Sequence, residues 1–437
     1  MYRLPVENLY GFCLEIFDCM LLQAIPYGIA QNIPPLFIHY LEKEYHFSVQ
    51  SVGYIFMIGA LAASLISPMA GKLYSKFPVK LIMLGGLILS ACGVMLNAVS
   101  TKLWMFLVAN AITQMGTVTF SGLGVPFLIA TWFDKKSKAS ALGIAFAGGS
   151  IGNFFLQPIV TNLLNHYELH RVYFMCALAS LIVGVLIGVF LIHPNKQLVE
   201  SSAAKQSTDS SKDSKTSTNQ SVLQDTHPAN TQTGIGYKKT TQQKSFWALS
   251  CFYLIIGLAI SALSSQYANF FASIHINTTL IGTIGSTFAI ACLVGNVGGG
   301  FLFSKIGVRN AMFLAFILQL VTVILLITSI FIPSIKVFSA FAWAVLYGFN
   351  VYSYMSAPAV MMQTLFGMKD TSEILGVFSI FFAVGFALGN IVFGFFVDTF
   401  GFTAAWISIL CYVLIGFSGL LFFITDIQKH KFADQTA

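Results

Sequence analysis

Glu15 and Asp18 stand three residues apart inside an apolar run near the start of the chain, GFCLEIFDCMLLQAIPYG. On a helix that spacing places both carboxyls on one face, one turn apart. Ionisable groups in an apolar helix are costly to bury and are read first as functional. Two carboxyls in such a place can take up and release a proton, so Glu15 and Asp18 are candidate proton-coupling residues. Solvation at the end of the helix is the alternative reading.

Amides and phenols form a second set at helical spacing. Asn110, Gln114, Thr117 and Ser121 follow i, i+4, i+7 and i+11 on one face. Tyr347, Asn350 and Tyr354 share another, as do Gln23, Tyr27 and Gln31, and Gln266 with Asn269. Lipid satisfies no amide, so these stripes face a wet cavity or hydrogen-bond a neighbouring helix. Tyr27, Gln31, Asn110, Gln114, Gln266, Asn269, Tyr347, Asn350 and Tyr354 are therefore candidate binding residues for a small solute. No catalytic constellation accompanies them. His39, His46, His166, His170 and His275 are scattered without metal-ligand spacing, and the seven cysteines form no Cys-x-x-Cys pair. No Gly-Lys-Ser/Thr phosphate loop is present, so ATP is not the energy source. Neither an enzyme, nor a cofactor, nor a metal is expected.

The elements that hold these residues follow from composition. Of 437 residues, 56% are hydrophobic and 9% charged, with mean hydropathy +0.79; soluble domains carry about 25% charge. The apolar runs lack strand alternation, so the class is an all-α membrane protein in a lipid bilayer. Runs long enough to span lie near 12–38, 49–71, 79–99, 103–131, 139–164, 171–193, 246–272, 278–303, 309–331, 336–366, 373–397 and 401–425. Residues 194–245 are rich in Ser, Thr, Gln, Lys and Asp and read as a disordered cytoplasmic linker. The expected plan is twelve transmembrane helices in two six-helix pseudo-symmetric bundles, 1–193 and 246–430. With both termini cytoplasmic, 19 of the 23 Lys and Arg residues fall on the cytoplasmic side. The net charge of +7 is thus a topology signal, and nucleic acid is not expected as a partner. Glu15 and Asp18 interrupt the first run, and no cleavable signal peptide is read there.

A repeat supports the two-bundle plan. Residues 71–80 read GKLYSKFPVK and 300–309 read GFLFSKIGVR. Both decamers close a helix at an equivalent place in their bundle. Pro126 and Gly143 likewise answer Pro358 and Gly376. Duplicated bundles of this kind are transporter architecture.

The decamers resemble the cytoplasmic loop motif of the major facilitator superfamily, Gly-x-x-x-Asp-Arg/Lys-x-Gly-x-Arg/Lys. Gly71, Lys76 and Lys80 match in the first copy, and Gly300, Lys305, Gly307 and Arg309 in the second; Ser75 and Ser304 replace the acid, and Pro78 one Gly. The resemblance implies that Gly71, Lys76, Lys80, Gly300, Lys305 and Arg309 are gate residues. It also implies that helices 1, 4, 7 and 10 line a central cavity, and that helices 2, 5, 8 and 11 join the two halves. Gly148 with Gly152, Gly385 with Gly389, and the run Gly295, Gly298, Gly299 and Gly300 would give those helices close-packing faces.

A narrower resemblance covers two stretches. WFDKKSKASALGIAFAGGSIG (132–152) and LFGMKDTSEILG (365–376) are similar to segments of monocarboxylate porters and oxalate–formate antiporters. Relatives in that branch hold an Arg in helix 8 about four residues before the loop-motif Gly; Asn296 stands there in this chain. The antiporters' helix 11 Lys falls at Phe382. The resemblance implies a secondary active transporter, symport or antiport, moving a carboxylate-type small organic solute by alternating access. A neutral or zwitterionic solute such as an amino acid, a hydroxy-carboxylate siderophore, and a non-transporting nutrient sensor are the alternatives. Asn296 joins the candidate binding residues, with Gln114, Asn350 and Tyr354 as a neutral cage. Coupled protons, a monomeric state and a bacterial inner (cytoplasmic) membrane complete the expectations.

Overall fold

The computed structural model describes residues 6–133, 138–191, 237–367 and 371–436. In chain order the helices are α1 Val6–Leu22, α2 Pro34–Tyr45, α3 Val49–Lys76, α4 Val79–Asn97, α5 Leu103–Thr117, α6 Val125–Trp132, α7 Lys138–His166 and α8 Leu169–Leu186. After the undescribed segment come α9 Tyr237–Thr241, α10 Lys244–Ser265, α11 Tyr267–Ser273, α12 Thr278–Phe331, α13 Lys336–Phe349, α14 Tyr352–Met355, α15 Ala357–Phe366 and α16 Thr371–Thr436. Nine helices among the described residues are long and apolar enough to cross a membrane.

Four crossings are interrupted along their length, three of them near a proline. Pro26 has no N–H to donate, so α1 passes into a π-helix, Gln23–Asn32, before α2 resumes; Ile33 N–H donates to Gly28 O, five residues back, at 3.1 Å. A second π-helix, Val118–Gly124, joins α5 to α6 just before Pro126. Gln266 separates α10 from α11, and α13 breaks at Asn350 ahead of α14 and α15, with Pro358 in the first turn of α15. These four breaks fall in the helices that carry the candidate binding stripes.

Other crossings are joined by tight glycine turns. Gly307 (φ +76°) bends the 54 residues of α12, and Gly401 (φ +83°) bends the 66 of α16. A straight helix of 54 residues would run about 80 Å, against a hydrocarbon layer of about 30 Å. Positive φ is open to Gly at little cost, so each glycine ends one crossing and starts the next. Gly307 is the later of the two glycines of the second decamer.

Two boundaries differ from expectation. The helix that ends the first crossing continues past 38 to Tyr45. The linker read as 194–245 already contains helix at its end: α9 forms at 237–241, and Trp247 Nε1–H donates to Thr241 O at 2.7 Å, while α10 begins at Lys244. The rest of that segment, 194–236, lies outside the described residues.

Candidate functional site

The helices before residue 192 meet those after 236 along two seams. In one, α7 runs beside α12. A β-carbon on Gly282 would sit 2.7 Å from Thr161 Oγ1, and one on Gly285 2.5 Å from Gln157 Oε1. Ser286 Oγ donates to Phe154 O at 2.6 Å, and Asn165 Nδ2 donates to Thr279 Oγ1 at 3.3 Å. In the other, α3 runs beside α16. Gly53 lies against the Asn390 carbonyl and Gly394 against the Gln50 backbone, each too close for a side chain. The Asp398 carboxylate accepts from Val49 N–H at 3.0 Å and Gln50 N–H at 2.9 Å, capping the first turn of α3. A third contact joins α2 to α11: Asn269 Nδ2 donates to Glu42 Oε1 at 2.7 Å.

All three contacts lie toward the end of the molecule opposite the chain termini. At the termini end the same four helices carry Gly71, Gly143, Gly300 and Gly376, and an added β-carbon at any of them meets no atom within 4 Å. The seams are therefore zipped at one end and parted at the other.

The expected gate cations bond within their own set of helices. Lys80 Nζ donates to Val189 O at 2.7 Å, and Arg309 Nε donates to Thr425 Oγ1 at 2.9 Å. These contacts occupy equivalent places in the repeat. Lys76 and Lys305 are exposed. The GxxxG glycines do not join the two sets, contrary to the packing the resemblance implied. Gly148 and Gly152 receive Met20 and Ala24 of the first crossing, and Gly385 and Gly389 receive Leu254 and Leu258 of α10. Gly295 and Gly299 pack on Phe349 and Tyr352. Close approach between the sets instead uses Gly53, Gly282, Gly285 and Gly394.

The amide stripes divide into two kinds. Asn110 Nδ2 donates to Ile55 O at 2.6 Å, and Gln114 Nε2 to Ala30 O at 3.3 Å. Asn350 Nδ2 donates to Gln319 Oε1 at 2.7 Å and Ala315 O at 3.3 Å, while the Tyr347 hydroxyl donates to Ile260 O at 3.1 Å. These bonds hold interrupted crossings to their neighbours, and none of them links Gln114 or Asn350 to Asn296. Gln31 and Asn296 are exposed, and Tyr27 lies beside Gly149. At 100° per residue, Asn296 shares a face with Gly282 and Gly285, three to four turns nearer the parted end.

Two polar hubs were missed by the stripes. Asn390 Oδ1 accepts from Gln266 Nε2 at 3.2 Å and from Ser265 Oγ, and its Nδ2 donates to Ser261 Oγ at 2.9 Å. Gln157 Nε2 donates to Asn153 Oδ1 and Asn32 O, and its Oε1 accepts from the Tyr267 hydroxyl at 3.1 Å, which crosses from one set to the other. Asn153, Gln157 and Thr161 repeat every four residues, a signal present in the sequence. The second set also stacks aromatic rings in series. Tyr267 faces Trp343 (4.5 Å), Trp343 faces Phe288 (5.1 Å), and Phe288 faces Tyr347 (5.5 Å). Tyr347 faces Tyr354 (6.3 Å), which faces Phe382 (6.2 Å). Phe288, Tyr354 and Phe382 are only half-buried.

Glu15 and Asp18 are 2% and 0% exposed, so solvation does not account for them. They are the only buried charged side chains among the described residues.

The family model described as Major Facilitator Superfamily matches residues 20–271 and 249–437. An MFS-type transporter of Gibberella moniliformis is 22% identical over 387 residues, covering 86% of this chain and 82% of that protein. Monocarboxylate transporter 12 of Xenopus laevis is 21% identical over 443 residues, covering 96% and 91%. A solved bacterial homologue of the human lysosomal transporter Spinster, inward-facing and unoccupied, superposes with TM-score 0.69 at 12% identity over 98% of this chain and 99% of that one.

Proposed function

The chain belongs to the Major Facilitator Superfamily, and from that premise we propose a secondary active transporter that carries a small organic solute by alternating access. Members of this family are transporters, not enzymes. The observation that carries the mechanism is the asymmetry of the seams. Four helices touch through Gly53, Gly282, Gly285 and Gly394 at one end and stand apart at Gly71, Gly143, Gly300 and Gly376 at the other. Small residues let helices approach closely where they meet. Closing the second glycine set while parting the first would expose a central site to the opposite side.

In this reading the chain makes twelve crossings as two six-helix bundles, 1–193 and 246–430, and works as a monomer. The Lys and Arg distribution supports cytoplasmic termini, and hence a parted end on the cytoplasmic side. In this reading the membrane is a bacterial inner (cytoplasmic) membrane. The interruptions at 23–32, 118–124 and 350 put backbone turns and polar side chains near the middle of their crossings, where transporter sites lie.

The solute is neutral or zwitterionic. No buried Lys or Arg occurs among the described residues, and a carboxylate in a low-dielectric cavity needs a cation or a proton. The half-buried rings of Phe288, Tyr354 and Phe382 offer flat apolar faces instead. A second reading has one specific support: a monocarboxylate transporter matches nearly the whole chain. In that case the anion enters with a proton taken by Glu15 or Asp18. Uptake of radiolabelled amino acids, nucleosides and monocarboxylates into proteoliposomes, with and without a pH gradient, separates the two. Uptake confined to neutral or zwitterionic solutes supports the first; gradient-driven monocarboxylate uptake supports the second; ligand binding without flux would leave a sensor.

A further inference from the structure

We propose that Glu42 is a proton-binding site in the outer gate, and that binding a proton there closes the gate. The proposal rests on the transporter reading for the word gate, but not for the site itself.

α2 has left the apolar span by this point, and Lys43 and Glu44 beside Glu42 are exposed. The Glu42 carboxyl instead turns into the seam between the two sets of helices and accepts one hydrogen bond, from Asn269. The same side chain also reaches His39, one turn back on α2. Asn269 is 1% exposed and comes from α11, the second half of an interrupted crossing, 227 residues along the chain. His39 and Tyr40 line a cleft there with Thr161, Ala268 and Thr278. A side chain held by the opposite set of helices leaves that place when the seam parts, so its surroundings differ between the two states.

The charges around Glu42 oppose ionisation in the closed state. Asp398 is close enough to repel it and is itself fixed on the first turn of α3. The other nearby acid, Glu44, lies 3.6 Å from His170 Nδ1. Arg171 lies 3.7 Å from Glu168, and Lys336 donates to the Ile274 and His275 carbonyls. Lys43 is exposed, and burial first, then Lys43, holds His39 below its ordinary range. No ion pair to Glu42 occurs among the described residues. Burial first, then Asp398, pushes the Glu42 carboxyl up to about 7, against the bond from Asn269, which acts the other way.

The direction of the linkage follows. In a parted seam Glu42 is hydrated and returns toward its ordinary 4.5. Closing therefore takes up a proton, and the closed state is favoured as pH falls. Between pH 4.5 and about 7 the ratio of closed to open falls nearly tenfold for each unit of rising pH, and above about 7 it is flat. An external proton would thus drive the outward-to-inward step.

The test needs no solute. Nitroxides at Lys102→Cys and Ile332→Cys, exposed on opposite sides of the outer seam, report the gate distance in a chain whose native cysteines are replaced by serine, in lipid nanodiscs. The wild-type distribution should shift from long to short as pH drops from 8 to 5. Glu42→Gln should give the short distance at every pH. Asn269→Ala removes the bond that favours the ionised form, so it should move the response to higher pH; it also serves if Glu42→Gln does not fold. His39→Gln should keep the response. A wild-type distribution indifferent to pH overturns the proposal, as does a full response in Glu42→Gln or its loss in His39→Gln. Flux is measured separately: a gate that responds as described without any solute uptake sustains the proton site while ending the transporter reading.

Discussion

Gly394→Ala should open the outer gate while leaving both bundles folded. The added β-carbon would stand 2.5 Å from Gln50 N and Cα and 2.7 Å from Val49 C, all backbone atoms that cannot rotate away. Carbon contacts relax at about 3.5–4.0 Å, so α3 and α16 must part by about 1 Å. Asp398 lies one helical turn beyond Gly394, and its bonds to Val49 and Gln50 now measure 3.0 and 2.9 Å. Parting by about 1 Å stretches both past the roughly 3.5 Å at which a hydrogen bond ceases to count. Hydrogen bonds to charged groups contribute about 1.5–3 kcal/mol each, and exposure of Asp398 puts these at the low end or below. A combined loss of about 2–3 kcal/mol shifts the closed-to-open ratio by about thirty- to a hundred-and-fiftyfold. The same pair of nitroxides at Lys102→Cys and Ile332→Cys reads that shift directly at fixed pH. Gly376→Ala is the control, because its β-carbon meets nothing in this state. An unchanged distance in Gly394→Ala, or an equal change in Gly376→Ala, would refute the reasoning.

Gly300→Leu should be accommodated in the structure described, where position 300 is open, yet block closure of the cytoplasmic end; solute flux should fall far more than solute affinity, and unchanged turnover would exclude position 300 from the gate. Asn296→Ala should weaken solute binding about threefold to tenfold through loss of one hydrogen bond, with melting temperature unchanged because the side chain is exposed and bonds no neighbouring helix; Asn296→Arg should shift preference toward anions, and binding measured across the solute panel checks both. Deletion of 200–235, which spares α9 and its bond to Trp247, should leave uptake largely intact; loss of uptake in a well-folded deletion would assign the segment a regulatory role.

Much of this protein was legible along the chain. Composition settles the membrane class, because 9% charge cannot clothe a soluble surface of this size. The duplicated decamers mark equivalent helix ends, and the structure gives Lys80 and Arg309 equivalent partners. Helical period places Asn110 with Gln114, and Tyr347 with Asn350, on common faces. It cannot say what each face meets, since a polar stripe needs a hydrogen-bond partner and either a cavity or a carbonyl of the next helix will serve. Packing sent Asn350 to Gln319 and Asn110 to Ile55, and left Asn296 exposed. The glycines show the same limit. GxxxG marks a close approach without naming the partner, so Gly148 and Gly385 met helices of their own set, while Gly53 and Gly394, with no such motif, made the seam. Glu42 gives no warning in sequence, where it reads as one of several charges at a helix end. Only the tertiary structure places Asn269 against it and Asp398 nearby, because those neighbours are more than 200 residues away along the chain, and a carboxyl's surroundings decide what it does.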